Sequence, residues 1–341
     1  MDSSLYKDFT TSRGLVYHYL LSAPKDGKPY LLFLHGFPST SFDWRHQISF
    51  FAKEGYGLIV PDMLGYGGTS KPADPADYRS SLITKDIVEI IDAENATRVV
   101  AIGHDWFVVL WSRDLSKAFF LRGSKVSSRL ANYYPDRFIA YGFLAVGYVV
   151  PRFENNYEQL LALSKKTFGY EIFGYWSFFS SPGADKIIED NMESFLRLIY
   201  SRNRKSSASN FAPTGALKSY LLQGKTGNPI ASYITEEEKE FHKKELLDGG
   251  MTGCLNWYTV MVSGIDAEDN KAIPADNLEI TKPVFYGGAL HDAVALNAVN
   301  KAATTDTCKN VTLHEYDGGH WIIWEAKDEI NRDLLEWLKS L

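Results

Sequence analysis

Short runs of apolar, β-branched and aromatic residues punctuate the chain, most of them followed by turn residues. They cover Leu15–Leu20, Tyr30–Leu34, Leu58–Val60, Arg98–Ile102, Phe138–Val146, Pro283–Tyr286 and Val311–Glu315. Several are apolar without alternation, the pattern of strands covered on both faces. Helical stretches such as Leu82–Ile91 and Asp328–Leu341 lie between them. This alternation predicts an α/β fold with a mostly parallel sheet and helices on both faces. From about Pro151 to Pro274 the rhythm breaks, because helix formers and aromatics dominate there and no clear strand occurs. Thr235-Glu-Glu-Glu238 is a capping box that opens a helix, and Gly249-Gly250 closes it. Ser201–Asn210, with four serines and three basic residues, reads as an exposed loop. The expected organisation is a core of residues 1–150 and 275–341 with a helical cap, 151–274, inserted over the sheet.

Composition narrows the classes. Of 341 residues, 45% are hydrophobic and 14% aromatic, enough for a large core and too many for a disordered chain. With 36 basic against 42 acidic residues the net charge is −6, which argues against a nucleic-acid partner. Cys254 and Cys308 are too few for a disulfide scaffold or a cysteine metal cluster. Met1-Asp-Ser-Ser-Leu-Tyr-Lys-Asp8 lacks a basic region followed by an apolar one, so no secretory signal is expected. The longest apolar stretch, around Ala140–Val150, is too short and glycine-interrupted to span a bilayer. Lys339-Ser-Leu341 has a peroxisomal signal's first two residues exchanged and carries little weight. A cytoplasmic protein without membrane insertion is expected, as a monomer or a homodimer.

Three motifs each follow a predicted strand: His35-Gly-Phe-Pro38, Gly103-His-Asp-Trp106 and Asp317-Gly-Gly-His320. Chemistry in open α/β sheets gathers at the carboxyl ends of strands. Gly103-His-Asp105 has the form of a nucleophile elbow carrying Asp where ester hydrolases carry Ser. A carboxylate is ionised at neutral pH and can attack a strained or activated carbon directly. Taken alone, Asp105 reads equally well as a helix-capping acid. The order of the remaining groups turns the reading. Asp292, in Gly287-Gly-Ala-Leu-His-Asp292, and then His320 follow successive strands, as an acid and a general base should. Asp292 would fix the tautomer of His320 and stabilise its charged form. His291, beside the acid, is read as incidental. The backbone N–H groups of Phe37 and Trp106 are candidate oxyanion donors. Gly65-Tyr-Gly-Gly-Thr-Ser-Lys71 suggests a phosphate loop, but Pro72 follows the lysine and the spacing is wrong.

These motifs, with Pro61-Asp62, Gly65-Tyr-Gly67, Tyr134-Pro-Asp-Arg137 and Gly319-His-Trp321, resemble the soluble epoxide hydrolases of α/β-hydrolase fold, of the fungal and plant-like kind. The resemblance covers nearly the whole chain. It implies an eight-stranded sheet, an epoxide substrate opened to a vicinal diol through a covalent aspartyl ester, and no metal or organic cofactor. Phe173-Gly-Tyr175 leading into Phe179-Ser-Ser-Pro-Gly183, and Gly253-Cys-Leu-Asn-Trp-Tyr258, are similar to the family's cap segments. By that resemblance Tyr175 and Tyr258 donate hydrogen bonds to the epoxide oxygen. The rival reading is a haloalkane or haloacid dehalogenase, which needs halide donors; Trp106, Trp176 and Trp257 keep it open.

The chain departs from the family pattern at one place. The family reads Gly-His-Asp-Trp-Gly, whereas Phe107 follows Trp106 here; removing Phe107–Arg122 restores the pattern without a gap. The segment is either a genuine insertion or translated intron sequence. It leaves a third reading, an α/β-hydrolase-fold protein whose catalysis the segment impairs by displacing the Trp106 N–H.

Overall fold

A computed structural model describes residues 3–105, 124–203 and 209–341. Eight strands form one sheet: β1 (Tyr6–Thr10), β2 (Val16–Ser22), β3 (Tyr30–Leu34), β4 (Gly57–Pro61), β5 (Val99–His104), β6 (Ala140–Ala145), β7 (Ile280–Ala289) and β8 (Cys308–Tyr316). Their order is β1-β2-β4-β3-β5-β6-β7-β8. β1 and β2 pair antiparallel, β2 meets β4 antiparallel, and the rest of the sheet is parallel. β4, β5 and β6 are buried at every position, as the unbroken apolar runs predict for strands with helices on both faces.

The predicted strands all form, with ends that move by up to three residues. β1 is the strand that the hydrophobic pattern misses. Its sequence, Tyr-Lys-Asp-Phe-Thr, is polar because it lies at the sheet edge and pairs with β2 alone. Between β6 and β7 the described elements are helical, apart from an isolated bridge between Ser201 and Ile230. That bridge corrects the exposed-loop expectation at its start. Ser201 is buried, and hydrogen bonds from Arg202 N to Pro229 O and from Ala231 N to Tyr200 O hold the segment down. The capping box forms as predicted, with Thr235 and Glu238 each bonding the other's backbone N–H at the start of helix Glu236–Gly249.

Chain order and sheet order together place the chemistry. The chain runs from β3 to β4 on one side and then returns to β5 on the other side of β3. The direction of winding therefore reverses between β3 and β5, which opens a crevice at their carboxyl ends. The loops after β7 and β8 reach the same edge of the sheet. Among the described residues, no helix is long and apolar enough to cross a membrane.

Candidate active site

The loop after β3 and the end of β5 build the centre. Leu34 and Gly103 are register partners, so His35-Gly-Phe-Pro38 and Asp105 leave the sheet side by side. Asp105 is fully buried and has a φ of +63°, a left-handed conformation that few non-glycine residues adopt. That turn lifts its carboxylate off the strand axis towards the neighbouring loop. Gly36 permits the approach: a Cβ there would lie 2.3 Å from the Asp105 Cβ. The N–H of Phe37 then donates to Asp105 Oδ2 at 2.9 Å.

His35 shapes this loop. Its Nδ1 lies 3.0 Å from Gly36 O, and its Nε2 accepts from Met63 N at 2.8 Å, which defines a neutral ring. Burial pushes its pKa down to about 4, in keeping with that assignment. On the far side of residues 106–123 the chain closes back beneath the elbow. Ser124 Oγ donates to Gly103 O at 2.9 Å, and helix Lys125–Tyr133 begins there. Trp106 and the segment Phe107–Arg122 lie outside the described residues, so the second oxyanion donor stays an expectation.

The loops after β7 and β8 supply the other two groups. Asp292 Oδ1 accepts from Val294 N at 2.8 Å and Ala295 N at 2.7 Å, which orients the carboxylate from behind. Its Oδ2 accepts from His320 Nδ1 at 2.6 Å, and His320 Nε2 faces Asp105 Oδ1 at 3.5 Å. The predicted order Asp105, Asp292, His320 thus becomes one line of contacts. Burial alone would lower the His320 pKa, but the charges of Asp292 and Asp105 outweigh it and hold the imidazole well above its usual range. Burial would raise Asp292, yet His320 and the two backbone N–H groups keep it below the ordinary carboxylate value.

In the sequence His104 is only a letter of the elbow motif. Its Nε2 lies 2.9 Å from the main-chain O of His320, and burial lowers its pKa to about 4. A neutral His104 therefore donates to the backbone of the loop that carries His320 and fixes its height. His291 pairs with Asp317 at 2.6 Å, away from the three-residue line.

Above the sheet edge stand aromatic rings from the helical stretch. Tyr175, on helix Tyr175–Phe179, and Tyr258, on helix Thr252–Val262, are fully buried, with ring centroids 5.9 Å apart. The Tyr258 ring packs edge-on against Phe37 at 5.1 Å and against Phe179 at 4.8 Å. Burial first, and then the proximity of Tyr175 and Asp105, keep the Tyr258 phenol well above its ordinary pKa. It therefore keeps its proton at neutral pH. Trp257 Nε1 donates to Leu64 O at 2.8 Å, so that indole N–H is occupied by the core.

An apolar cavity of about 60 Å³ reaches His320, lined by Phe37, Pro38, Ile199, Phe211, Val294 and Trp321. Among the described residues, one group of acids could hold a metal, Glu193, Glu236 and Glu240. Their carboxylates already pair with Lys239, and Glu193 pairs with Arg197 and Lys243 as well.

Residues 29–106 match the alpha/beta hydrolase fold family. Epoxide hydrolase A of Mycobacterium tuberculosis is 28% identical over 332 residues, covering 94% of both chains. Bifunctional epoxide hydrolase 2 of Mus musculus is 26% identical over 316 residues, 92% of this chain; the chain spans about half of that relative, 52% of its length. The solved structure of an epoxide hydrolase from an endophytic Streptomyces superposes with a TM-score of 0.80 at 27% identity, covering 98% of this chain and 95% of the other. The chain has the α/β-hydrolase fold and is similar, along nearly its whole length, to epoxide hydrolases.

Proposed function

We propose that the chain is an epoxide hydrolase that acts through a covalent aspartyl ester. One observation carries the reading: a single carboxylate is held by a backbone N–H on one oxygen and faced by an imidazole on the other. A buried tyrosine that feels the charge of that carboxylate lies beside it.

In the first step Asp105 attacks a ring carbon, the C–O bond breaks, and its electron pair moves to the epoxide oxygen. Tyr175 and Tyr258 donate to that oxygen, and one of them gives it a proton. Formation of the ester removes the charge of Asp105. That charge is one of the two that hold His320 protonated, so its loss lowers the imidazole pKa and readies it as a base. His320 gives its proton to the tyrosinate, and its neutral Nε2 then takes a proton from water, which attacks the ester carbonyl. The oxyanion forms on the oxygen already held by Phe37 N–H, with Trp106 N–H as the expected second donor. The ester C–O bond breaks, the leaving alkoxide takes the proton of the new carboxyl group, and the vicinal diol departs with Asp105 again ionised and His320 again protonated.

Residues 151–274 act in this reading as the cap that carries the two phenols, and no cofactor is needed. The dehalogenase alternative is weakened because the Trp257 N–H is committed to Leu64. A cytoplasmic setting fits the buried thiols of Cys254 and Cys308, and either a monomer or a homodimer fits the chemistry. The direct test is Asp105→Ala assayed with an aryl epoxide. The expected result is no diol from the variant and steady diol formation from the parent. Unchanged diol formation would overturn the assignment, and halide release from a chlorinated alkane in place of diol would favour the dehalogenase.

A further inference from the structure

A further buried acid–imidazole contact lies where residues 151–274 meet the sheet, and the mechanism above makes no use of it. Asp43 sits in the short helical turn Ser41–Trp44, just beyond the loop that carries the Phe37 N–H. It is 1% exposed, as is His242 on the cap helix Glu236–Gly249. Asp43 Oδ1 lies 3.3 Å from His242 Nε2. Its Oδ2 accepts from Ser39 Oγ, inside the loop itself. Its main-chain O accepts from Trp324 Nε1 at 2.8 Å. Trp324 stacks on Trp321, the neighbour of His320, with centroids 4.7 Å apart.

Three parts of the proposed active site therefore converge on one residue: the oxyanion loop and the cap on its side chain, and the segment that follows the imidazole of His320 on its main-chain O. The surroundings make this an expensive place for an acid. The rings of Phe42, Tyr200, Trp324 and Phe241 enclose His242 at 5.7 to 6.0 Å. Burying a polar group in such a box costs free energy unless a partner meets it. The partner comes from a residue almost two hundred positions away in the chain.

We propose that Asp43 and His242 are positioning residues, which set the oxyanion N–H of Phe37 in register with the cap. The inference rests on the epoxide hydrolase reading. Phe37 is the piece to be registered, since its N–H serves the Asp105 carboxylate while its ring is wedged against Tyr258 and Phe179 of the cap. A loop that drifted with the cap would misplace the N–H at the moment the ester is hydrolysed.

The protonation states agree with this geometry. Burial, aided by Asp62 and Glu238 and opposed by Ser39 and Arg45, pushes the Asp43 pKa up to about 8. Burial, with Arg45 and His35, pushes His242 down to about 3. Both shifts favour the uncharged forms at neutral pH, so the 3.3 Å contact between Asp43 Oδ1 and His242 Nε2 places no net charge in the box. Arg45, a cation beside this contact, pairs with Glu238 at 2.8 Å.

The test separates the two half-reactions by rapid mixing with an aryl epoxide, following formation and then decay of the alkyl-enzyme. His242→Phe and Asp43→Leu remove the polar contact, while Asp43→Asn keeps a polar group facing His242 and an acceptor for Ser39. A displacement of about 1 Å at an active site costs on the order of 100-fold, so the first two variants should slow decay by at least about tenfold. Ester formation should change by less than about threefold, and Asp43→Asn should return decay to within about threefold of the parent. Unchanged decay in His242→Phe, or both steps falling in proportion to the folded fraction seen by near-UV circular dichroism, would overturn the proposal. If Asp43→Leu does not fold, His242→Phe decides, because a phenyl ring suits the aromatic box. Diol formation by the parent, run alongside, separates a failure of this inference from a failure of the functional reading.

Discussion

The two sides of the proposed active site hold their side chains by different physics. On the sheet side, each group is fixed by directional polar contacts at a strand end. Phe37 N–H grips Asp105, two N–H groups grip Asp292, and His104 grips the backbone of His320. On the cap side, the two phenols are fixed by ring packing. Tyr175 lies against Phe211 at 4.5 Å and Phe179 at 5.3 Å, and Tyr258 against Phe179 and Phe37. The division matches the demands of the two steps. Ester hydrolysis needs a proton removed along one line, which hydrogen bonds define. Ring opening needs donors aimed at an oxygen on a substrate of variable shape, which a packed apolar wall accommodates.

The largest effect expected from this division is in the cap. Tyr175→Phe with Tyr258→Phe keeps the ring packing and removes both donors. Each donor to a developing oxyanion is worth ~10²–10³ in rate, so ring opening should fall by about 10⁴-fold or more. The melting temperature should move far less than the rate. Single-turnover ester formation measures it, and a loss confined to the decay of the ester would break the division.

The same contrast explains what the sequence discloses. Asp105, Asp292 and His320 are legible because each follows an apolar strand and a glycine-rich turn, signals that are local in the chain. His104 was in view, but its bond to the His320 carbonyl joins two strand ends that only the sheet order brings together. Tyr175 and Tyr258 stand among 20 tyrosines, and packing gives no local mark that separates them from core residues. They emerge only through the resemblance of their flanking segments. Asp43 resembles any acid in the first turn of a helix, and nothing near His242 announces its partner 199 positions upstream.

A second prediction sharpens the sheet side. His320→Gln should leave ring opening nearly intact and slow ester decay by ~10²–10⁴-fold, the usual worth of a positioned general base. The alkyl-enzyme should then accumulate and be visible by intact-protein mass spectrometry. The parent enzyme should show the matching pH dependence. His320 must be neutral to act, so lowering the pH should slow ester decay by protonating it, while ring opening, which uses the carboxylate and the phenols, should not follow that curve. Parallel pH profiles for the two steps would contradict the assignment of the base.

The smallest catalytic effect is expected at the seam, where the consequence is stability. Lys125, at the start of the helix below the elbow, pairs with Asp266 of the cap at 2.7 Å, and both side chains are 2% exposed. Ser80 and Asn270 also donate to Asp266, and Arg129 and Arg152 lie within its field. Burial would raise the Asp266 pKa, but Lys125 and the two guanidinium groups hold it well below the ordinary carboxylate range. Asp266→Asn leaves three buried cations facing no carboxylate from that position. Removing one partner of such a pair costs ~3–5 kcal/mol. The sign with pH follows from linkage: a depressed folded pKa contributes stability above the unfolded value near ~4, and that contribution is lost as pH falls through the folded value. Urea unfolding from pH 7 downwards should therefore show the parent converging on the variant in acid. A variant that stays parallel to the parent across that range would mean that the ion pair contributes nothing to joining cap and core.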